Sequence, residues 1–204
     1  MDAVRDNVKT AFAPARWVRN GYVADAGWFG AEYRARFGWL YTPDGASGST
    51  GVVIVPPFGS DDLSAHRTLR HLAETCARGG FTTLRFDPDG CGDSVGDDSD
   101  PGRLESWVDS VRDACNVVHH AGATRIVLIG IRLGATLATL AAQHRDDIAA
   151  LMAFNPVIRG GSWLRELRAF QAAMNLPSPP APIRDDGQEA GGFWLEPETC
   201  AALK

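Results

Sequence analysis

The sequence predicts an α/β fold in which a mostly parallel sheet is covered by helices on both faces. Short, continuous apolar runs such as residues 51–55 are typical of strands buried on both faces, as in parallel sheets under helices. Between these runs lie segments with apolar residues at helical spacing, so that four strands alternate with three helices. This alternation favours a parallel sheet with right-handed crossovers.

Residues that stop each element mark its bounds. Two prolines end the first strand, Gly79 and Gly80 end the first helix, and a loop rich in glycine and aspartate, residues 87–97, follows the second strand. In chain order, the sequence predicts a strand at 51–55, a helix at 62–78, a strand at 81–86, a helix from 104 to 121, a strand, turn and helix at 126–138, and a strand at 148–154.

The flanking regions have weaker patterns. Residues 27–43 alternate loosely, which indicates an antiparallel pair of strands ahead of the main sheet. Apolar residues in 163–170 indicate a short amphipathic helix, whereas the prolines of 177–182 exclude a helix or a central strand. We therefore expect three regions, an N-terminal segment at 1–24, a core at 25–157, and a cap-like insertion and tail at 158–204.

Composition excludes several classes of function. A chain of 204 residues with 45% apolar content suits one sizeable domain, and its formal charge of −5 argues against a nucleic-acid binder, which clusters lysine and arginine. Without a signal peptide or the roughly 18 consecutive apolar residues of a membrane span, we expect a soluble, cytoplasmic protein. Four cysteines without C-x-x-C spacing predict neither a disulfide nor a zinc site, and no cofactor motif is present.

A sharp turn follows the third predicted strand. Residues 126–129 are apolar, the run breaks at Gly130, and Gly134 begins a run of small and aliphatic residues. The sequence therefore indicates a strand, a tight turn and a buried helix. The turn has the pattern G-x-R-x-G, with Arg132 at its centre.

With the P-P-F-G loop at 56–59 and the loop at 85–97, which contains G-C-G-D-S, this turn resembles the α/β-hydrolase superfamily. More narrowly, the three motifs are similar to those of the exosortase A system-associated hydrolases of the hydrolase 2 type. The resemblance implies an α/β-hydrolase-like fold. Because family members continue through further strand–helix units, it also implies a sheet that is incomplete at its C-terminal end.

The resemblance also implies where an oxyanion hole would lie. In the superfamily, the loop after the first buried strand and the residue after the nucleophile each supply a backbone N–H, because two donors must converge on the developing negative oxygen. In this chain those donors would belong to Phe58 or Gly59, and to Leu133.

This sequence lacks the main side chains that serine-ester chemistry needs. Arg132 stands where the superfamily has its nucleophile, and a guanidinium that stays protonated cannot attack a carbonyl group. The acid and the base should follow after later strands, yet no histidine occurs after His144. We expect all five histidines to lie on the surface or at helix ends.

Two interpretations of Arg132 remain open. Its guanidinium either pairs with a carboxylate such as Asp87 or Asp93 in a structural role, or binds an anionic ligand at the mouth of the sheet. Cys91, between two glycines, is a candidate nucleophile if Arg132 lowers its pKa, and otherwise fills a small space. The aspartates of this loop do not follow the calcium-loop pattern, so we predict turn hydrogen bonds and no metal site.

The sequence thus predicts a hydrolase-like protein that is non-catalytic as the chain stands. It is expected to bind a partner protein or a small anionic or acyl ligand, and the residues that would bind are Arg132, Leu133, Phe58, Gly59 and Asp93. The alternative is an active ester or thioester hydrolase or acyltransferase, completed by further C-terminal sequence or by a second subunit.

The last predicted strand has a consequence for assembly. A sheet that ends at residues 148–154 would present an apolar, unpaired edge, and such edges invite pairing with another chain. We therefore expect a homo-oligomer or a partner chain at this edge.

Overall fold

The structure is a computed structural model that describes residues 11–45, 47–173, 187–190 and 193–204. Its strands are β1 Ala11–Arg19, β2 Tyr22–Phe29, β3 Arg36–Pro43, β4 Thr50–Val55, β5 Thr82–Phe86, β6 Arg125–Ile131, β7 Ile148–Phe154, β8 Gln188–Ala190 and β9 Phe193–Leu195. Its helices are α1 Ser60–Arg78, α2 Arg103–His120, α3 Leu133–Ala142, α4 Gly160–Ala173 and α5 Pro197–Ala202.

The first seven strands form one sheet in the order β1-β2-β3-β5-β4-β6-β7. The neighbours β5, β4, β6 and β7 run parallel, while β1, β2 and β3 form an antiparallel extension that joins at β5. β8 and β9 form a separate antiparallel hairpin. The predicted α/β fold is confirmed, and the strand at 148–154 has the predicted bounds.

Helices cover both faces of the parallel strands. α1 packs on one face, where Leu69 joins Ile54 of β4 in a buried cluster. α2 and α3 pack on the opposite face, where Val111 and Leu137 join Val55 of the same strand. Successive side chains of a strand point to opposite faces, so the two clusters are separated by the sheet itself. This arrangement leaves the carboxyl ends of the parallel strands as the edge where the loops meet.

The N-terminal sheet is larger than the sequence analysis indicated. The pattern at 27–43 suggested two antiparallel strands, but the structure has three, beginning at Ala11. β1 and β2 are joined by Asn20 and Gly21, and Gly21 has a φ of +91°. Asn-Gly is a strong hairpin signal because the turn needs positive φ, so this dipeptide could have revealed the extra strand.

Regions after β7 agree in part with expectation. The predicted amphipathic helix is α4, which buries Trp163, Leu164 and Leu167. The proline-rich stretch 177–182 lies outside the described residues. None of the helices in the described ranges is long and apolar enough to cross a membrane.

The edge strand β7 is open, as the sequence predicted. Within the described chain its pairing partner is β6, on one side alone. Its residues after Ile148 are all exposed, including Met152 at 50% and Phe154 at 56%. An exposed apolar strand with unpaired backbone groups is a template for pairing with another strand.

A buried carboxylate fixes the loop of residues 87–97, called the acidic loop below, to α2 and β3. Asp89 is fully buried, and its Oδ1 accepts hydrogen bonds from Arg103 at 2.7 Å and from Arg34 at 3.2 Å. The guanidinium of Arg36 lies 3.9 Å from the other carboxylate oxygen. This contact set shows that at least one aspartate of the loop has a structural role, because buried guanidinium groups need a counter-charge.

Replacing this carboxylate should therefore destabilise the fold. We expect Asp89→Asn to lower the free energy of unfolding by about 3–5 kcal/mol, since it leaves buried guanidinium groups without their counter-charge. Urea denaturation followed by circular dichroism measures the change. The matched control is Asp109→Asn, which breaks a 2.8 Å exposed pair with Arg112 and should cost less than about 1 kcal/mol. Equal costs for the two variants would contradict the structural role of Asp89.

Candidate functional site at the strand–helix elbow

The elbow joins β6 to α3 with the backbone in a conformation that L-residues rarely adopt. Arg132, at its centre, has φ 55° and ψ −123°. A Cβ atom on Gly134 would lie 2.1 Å from the Pro56 carbonyl oxygen, and one on Gly130 would lie 2.4 Å from the Ala135 Cα. Both positions therefore require glycine, and the strained residue between them costs of order 1–3 kcal/mol. The elbow predicted from G-x-R-x-G is confirmed as a structure.

Backbone hydrogen bonds hold the elbow from the side of β7. The N–H of Arg132 donates to the carbonyl oxygen of Phe154 at 2.9 Å, and the N–H of Val157 donates to the carbonyl oxygen of Arg132 at 3.3 Å. The Thr136 hydroxyl donates to the carbonyl oxygen of Val157 at 2.7 Å. The end of β7 and the start of α3 are thus fixed together around Arg132.

The Arg132 side chain is held by carboxylates on two helices. Its Nε donates to Asp61 Oδ2 at 3.3 Å, and its Nη2 donates to Glu166 Oε1 at 2.5 Å. The hydrogen bond that Arg132 donates to Glu166 is the largest cause that holds the pKa of the guanidinium above its usual value. The predicted pairing with a carboxylate is confirmed, but the suggested partners Asp87 and Asp93 were wrong.

Sequence reasoning missed these partners for different reasons. Asp61 lies in the first turn of α1, beside the P-P-F-G loop, and is brought to the elbow by the close packing of Gly134 against Pro56. Glu166 is 34 residues from Arg132 on α4. It lies on the exposed side of an amphipathic helix, where a charged residue carries no local signal of a partner.

The two backbone segments implied to form an oxyanion hole lie against each other. Gly59, with φ 63° and ψ −135°, precedes the first residue of α1, while Leu133 is the first residue of α3. The first N–H groups of a helix have no partner within that helix. Phe58 is buried and packs its ring on Trp107, with centroids 4.7 Å apart. The approach of Gly134 to Pro56 brings the loop next to the start of α3.

Two of the four aspartates in the acidic loop, Asp87 and Asp97, accept backbone hydrogen bonds within the loop or the turn that follows it. The N–H of Asp93 donates to Asp87 Oδ2 at 3.0 Å, and the N–H of Asp97 donates to Asp100 Oδ2 at 2.9 Å. Burial raises the pKa of the Asp87 carboxyl, although the hydrogen bond from the Asp93 N–H acts in the opposite direction. Across the described residues, no group of three or more His, Cys, Asp or Glu could hold a metal ion. Asp93 itself lies at a cavity on the α1 face and does not contact Arg132.

The surroundings of Cys91 oppose a nucleophilic role. Burial raises the pKa of its thiol to about 12, whereas a reactive cysteine needs a lowered pKa. The cation that acts on it is Arg103, not Arg132 as the sequence analysis supposed. All five histidines are exposed, as expected, and all four cysteines are free thiols.

Sheet order, elbow and flanking helices together define an α/β-hydrolase. The sequence matches the family model for serine aminopeptidase, S33, over residues 64–183, which is more than half of the chain. The chain therefore belongs to this family of the α/β-hydrolase superfamily. No curated protein matches the sequence.

Solved structures support the same fold. A hypothetical protein from Pseudomonas aeruginosa has a TM-score of 0.62 and 18% identity, over 97% of this chain and 77% of that one. Est1E from Butyrivibrio proteoclasticus, solved with ferulic acid bound, has a TM-score of 0.62 and 23% identity, over 86% and 69% of the two chains. An esterase from Pyrococcus furiosus has a TM-score of 0.60 and 19% identity, over 82% and 64%. At these identities the likeness concerns the fold, and this chain spans between 50% and 77% of the matched structures.

Proposed function

We propose that this chain is a hydrolase-fold protein that does not carry out serine-ester chemistry and instead binds a small anionic or acyl ligand at the elbow. The observation that supports the first half is the position of Arg132. A protonated guanidinium, hydrogen-bonded to Asp61 and Glu166, occupies the place of the nucleophile, and it has no lone pair for attack.

The proposed ligand binding depends on the exposure of Glu166, one of the two carboxylates that pair with Arg132. Glu166 has 60% of its side chain exposed, while the Arg132 side chain is only 18% exposed. Breaking an exposed ion pair costs about 1 kcal/mol or less, so the carboxylate of a ligand can replace that of Glu166. The N-terminus of α3, which begins at Leu133, adds a partial positive charge at the same place.

The backbone donors to the bound ligand are, in this proposal, the N–H groups of Phe58, Gly59 and Leu133. Asp93 is a less direct candidate, because it borders the cavity on the α1 face. A link to the exosortase-associated hydrolases, and a cytoplasmic location, remain proposals from the sequence motifs and composition.

Absence of catalysis has a direct test. We expect neither turnover of p-nitrophenyl acetate above buffer nor labelling by a fluorophosphonate probe. We expect the same of Arg132→Ser, which restores the elbow serine, because all five histidines of the chain are exposed and none follows His144. An active serine esterase serves as the positive control. Rapid labelling of either form would contradict the proposal.

Ligand exchange at Arg132 has a separate test, with butyrate as the probe and butyramide as its neutral control. We expect Glu166→Gln to raise the affinity for butyrate by about three- to tenfold, because it removes the competing carboxylate. Arg132→Met should abolish the preference for butyrate over butyramide. Chemical-shift titration by NMR measures both. If Arg132→Ala or Arg132→Met unfolds the protein and Glu166→Gln leaves butyrate binding unchanged, Arg132 is structural only.

A second candidate function is an ester or thioester hydrolase or acyltransferase completed by further sequence or by a second subunit. The observation that favours it is the open strand β7, whose residues after Ile148 are exposed. Matched structures extend beyond the length of this chain. A second copy of the chain is the partner that we propose for this edge.

Sedimentation velocity tests the proposed pairing of two copies. We expect a concentration-dependent dimer at about 10–100 μM, and a loss of about tenfold or more in affinity for Met152→Lys, since an inward charge on an edge strand blocks pairing. The matched control is Ile158→Lys, which changes an 86% exposed residue outside β7 and should leave the dimer intact. A single monomeric species over this range would count against the pairing.

A further inference from the structure

An aromatic cavity on the α1 face of the sheet contains a buried arginine, Arg85, that forms no ion pair within 4.0 Å among the described residues. The cavity has a volume of about 310 Å³. Phe37, Trp39 and Tyr41 line it from alternate positions of β3, and Trp17 of β1 lies against Trp39 with ring centroids 4.7 Å apart. Arg85 of β5 completes the lining next to these rings.

Arg85 is the polar group that points to a ligand. It is 8% exposed, and its Nε has no hydrogen-bond partner. Its Nη1 lies 3.4 Å from the Nδ1 of His66, which is at the long end of the hydrogen-bond range. Among the described residues, no carboxylate oxygen lies within 4.0 Å of its guanidinium. Asp62 and Asp87 act on it electrostatically from beyond that distance. The buried Nε is therefore the donor left unsatisfied, and a buried donor without a partner is costly.

The rest of the lining supplies no hydrogen bond to the Arg85 Nε. Arg70 also borders the cavity, but it is already paired with Glu74 at 3.1 Å. Asp87 and Asp93 border the cavity as well. Asp87 accepts a hydrogen bond from the backbone N–H of Asp93 and acts on Arg85 from beyond 4.0 Å. Their negative charge disfavours a dianion such as a phosphate monoester, and leaves room for a ligand with a single negative charge.

We infer that this cavity is a binding site for a small aromatic monocarboxylate, whose ring lies among Trp17, Phe37 and Trp39 and whose carboxylate pairs with Arg85. Ligand pockets combine apolar and aromatic walls with a few polar groups, and about 310 Å³ is at the lower end of their volumes, which suits a single ring. A planar guanidinium forms bidentate hydrogen bonds with a carboxylate. The site is separate from the elbow, since neither Arg132 nor Leu133 lines it.

The test uses cinnamate as the probe and cinnamyl alcohol as its uncharged twin, with isothermal titration calorimetry on the full chain at neutral pH. We expect saturable one-to-one binding of cinnamate with a Kd of about 0.1–1 mM, and binding of the alcohol at least about tenfold weaker. NMR should show shifts of the indole N–H signals of Trp17 and Trp39. No saturable binding of cinnamate, or equal binding of the two molecules, would overturn the inference.

Two pairs of variants locate the site. Arg85→Met should weaken cinnamate binding by about tenfold or more, whereas Arg125→Met, at an exposed arginine that does not line the cavity, should leave it unchanged. Trp17→Ala should weaken it by about three- to tenfold. Trp28→Ala is its control, because Trp28 is 40% exposed against 44% for Trp17, contacts Phe37 at its ring edge, and does not line the cavity. Cinnamate binding that is lost in Arg132→Met but kept in Arg85→Met would assign the ligand to the elbow instead. Because the probes differ and Arg85 does not contact the elbow, failure here leaves the butyrate result at the elbow unaffected.

Discussion

Close contact between Gly134 and the carbonyl oxygen of Pro56 is the constraint on which the elbow depends. It presses the start of α3 against the P-P-F-G loop, forces Arg132 into a backbone conformation with positive φ, and brings Asp61 within reach of its side chain. Such strain persists only where the surrounding structure fixes it, and it is common at functional sites. In the function that we propose, this strained turn presents the cation of Arg132 where the superfamily has its nucleophile.

Counter-charges differ among three of the buried or partly buried guanidinium sites in the described residues. Asp89 neutralises the cluster around Arg103, and two carboxylates on different helices hold Arg132. Arg85 has no carboxylate within 4.0 Å among the described residues. An arginine whose charge is balanced by a protein carboxylate stabilises the fold, whereas one without a close carboxylate is available to bind an anionic ligand. The Arg103 cluster is structural. For Arg132, we propose that the carboxylate of a ligand can replace that of Glu166. For Arg85, we propose that a bound ligand supplies the carboxylate.

The sequence predicted the elements with strong periodicity and the turns that only glycine permits. The parallel strands, the elbow and the open edge at β7 were found in this way, because buried runs and glycine spacing are local signals. The hairpin of β1 and β2 was not predicted, although the dipeptide Asn20-Gly21 between these strands is a strong hairpin signal. The partners of Arg132 could not be found, since Glu166 lies on the exposed side of a helix 34 residues away and reaches the elbow only through tertiary packing. Arg85 gave no signal, as its strand is otherwise apolar or β-branched.

A double-mutant cycle between Arg132 and Glu166 tests most directly the claim that the nucleophile position holds an ion-paired cation. The free energy of unfolding is measured for the parent chain, Arg132→Met, Glu166→Gln and the double variant. The account predicts a coupling energy of about 0.5–1 kcal/mol that decreases with added salt, as expected for a partly exposed ion pair. A coupling indistinguishable from zero at low salt would contradict it, because Arg132 would then be free of Glu166 in solution.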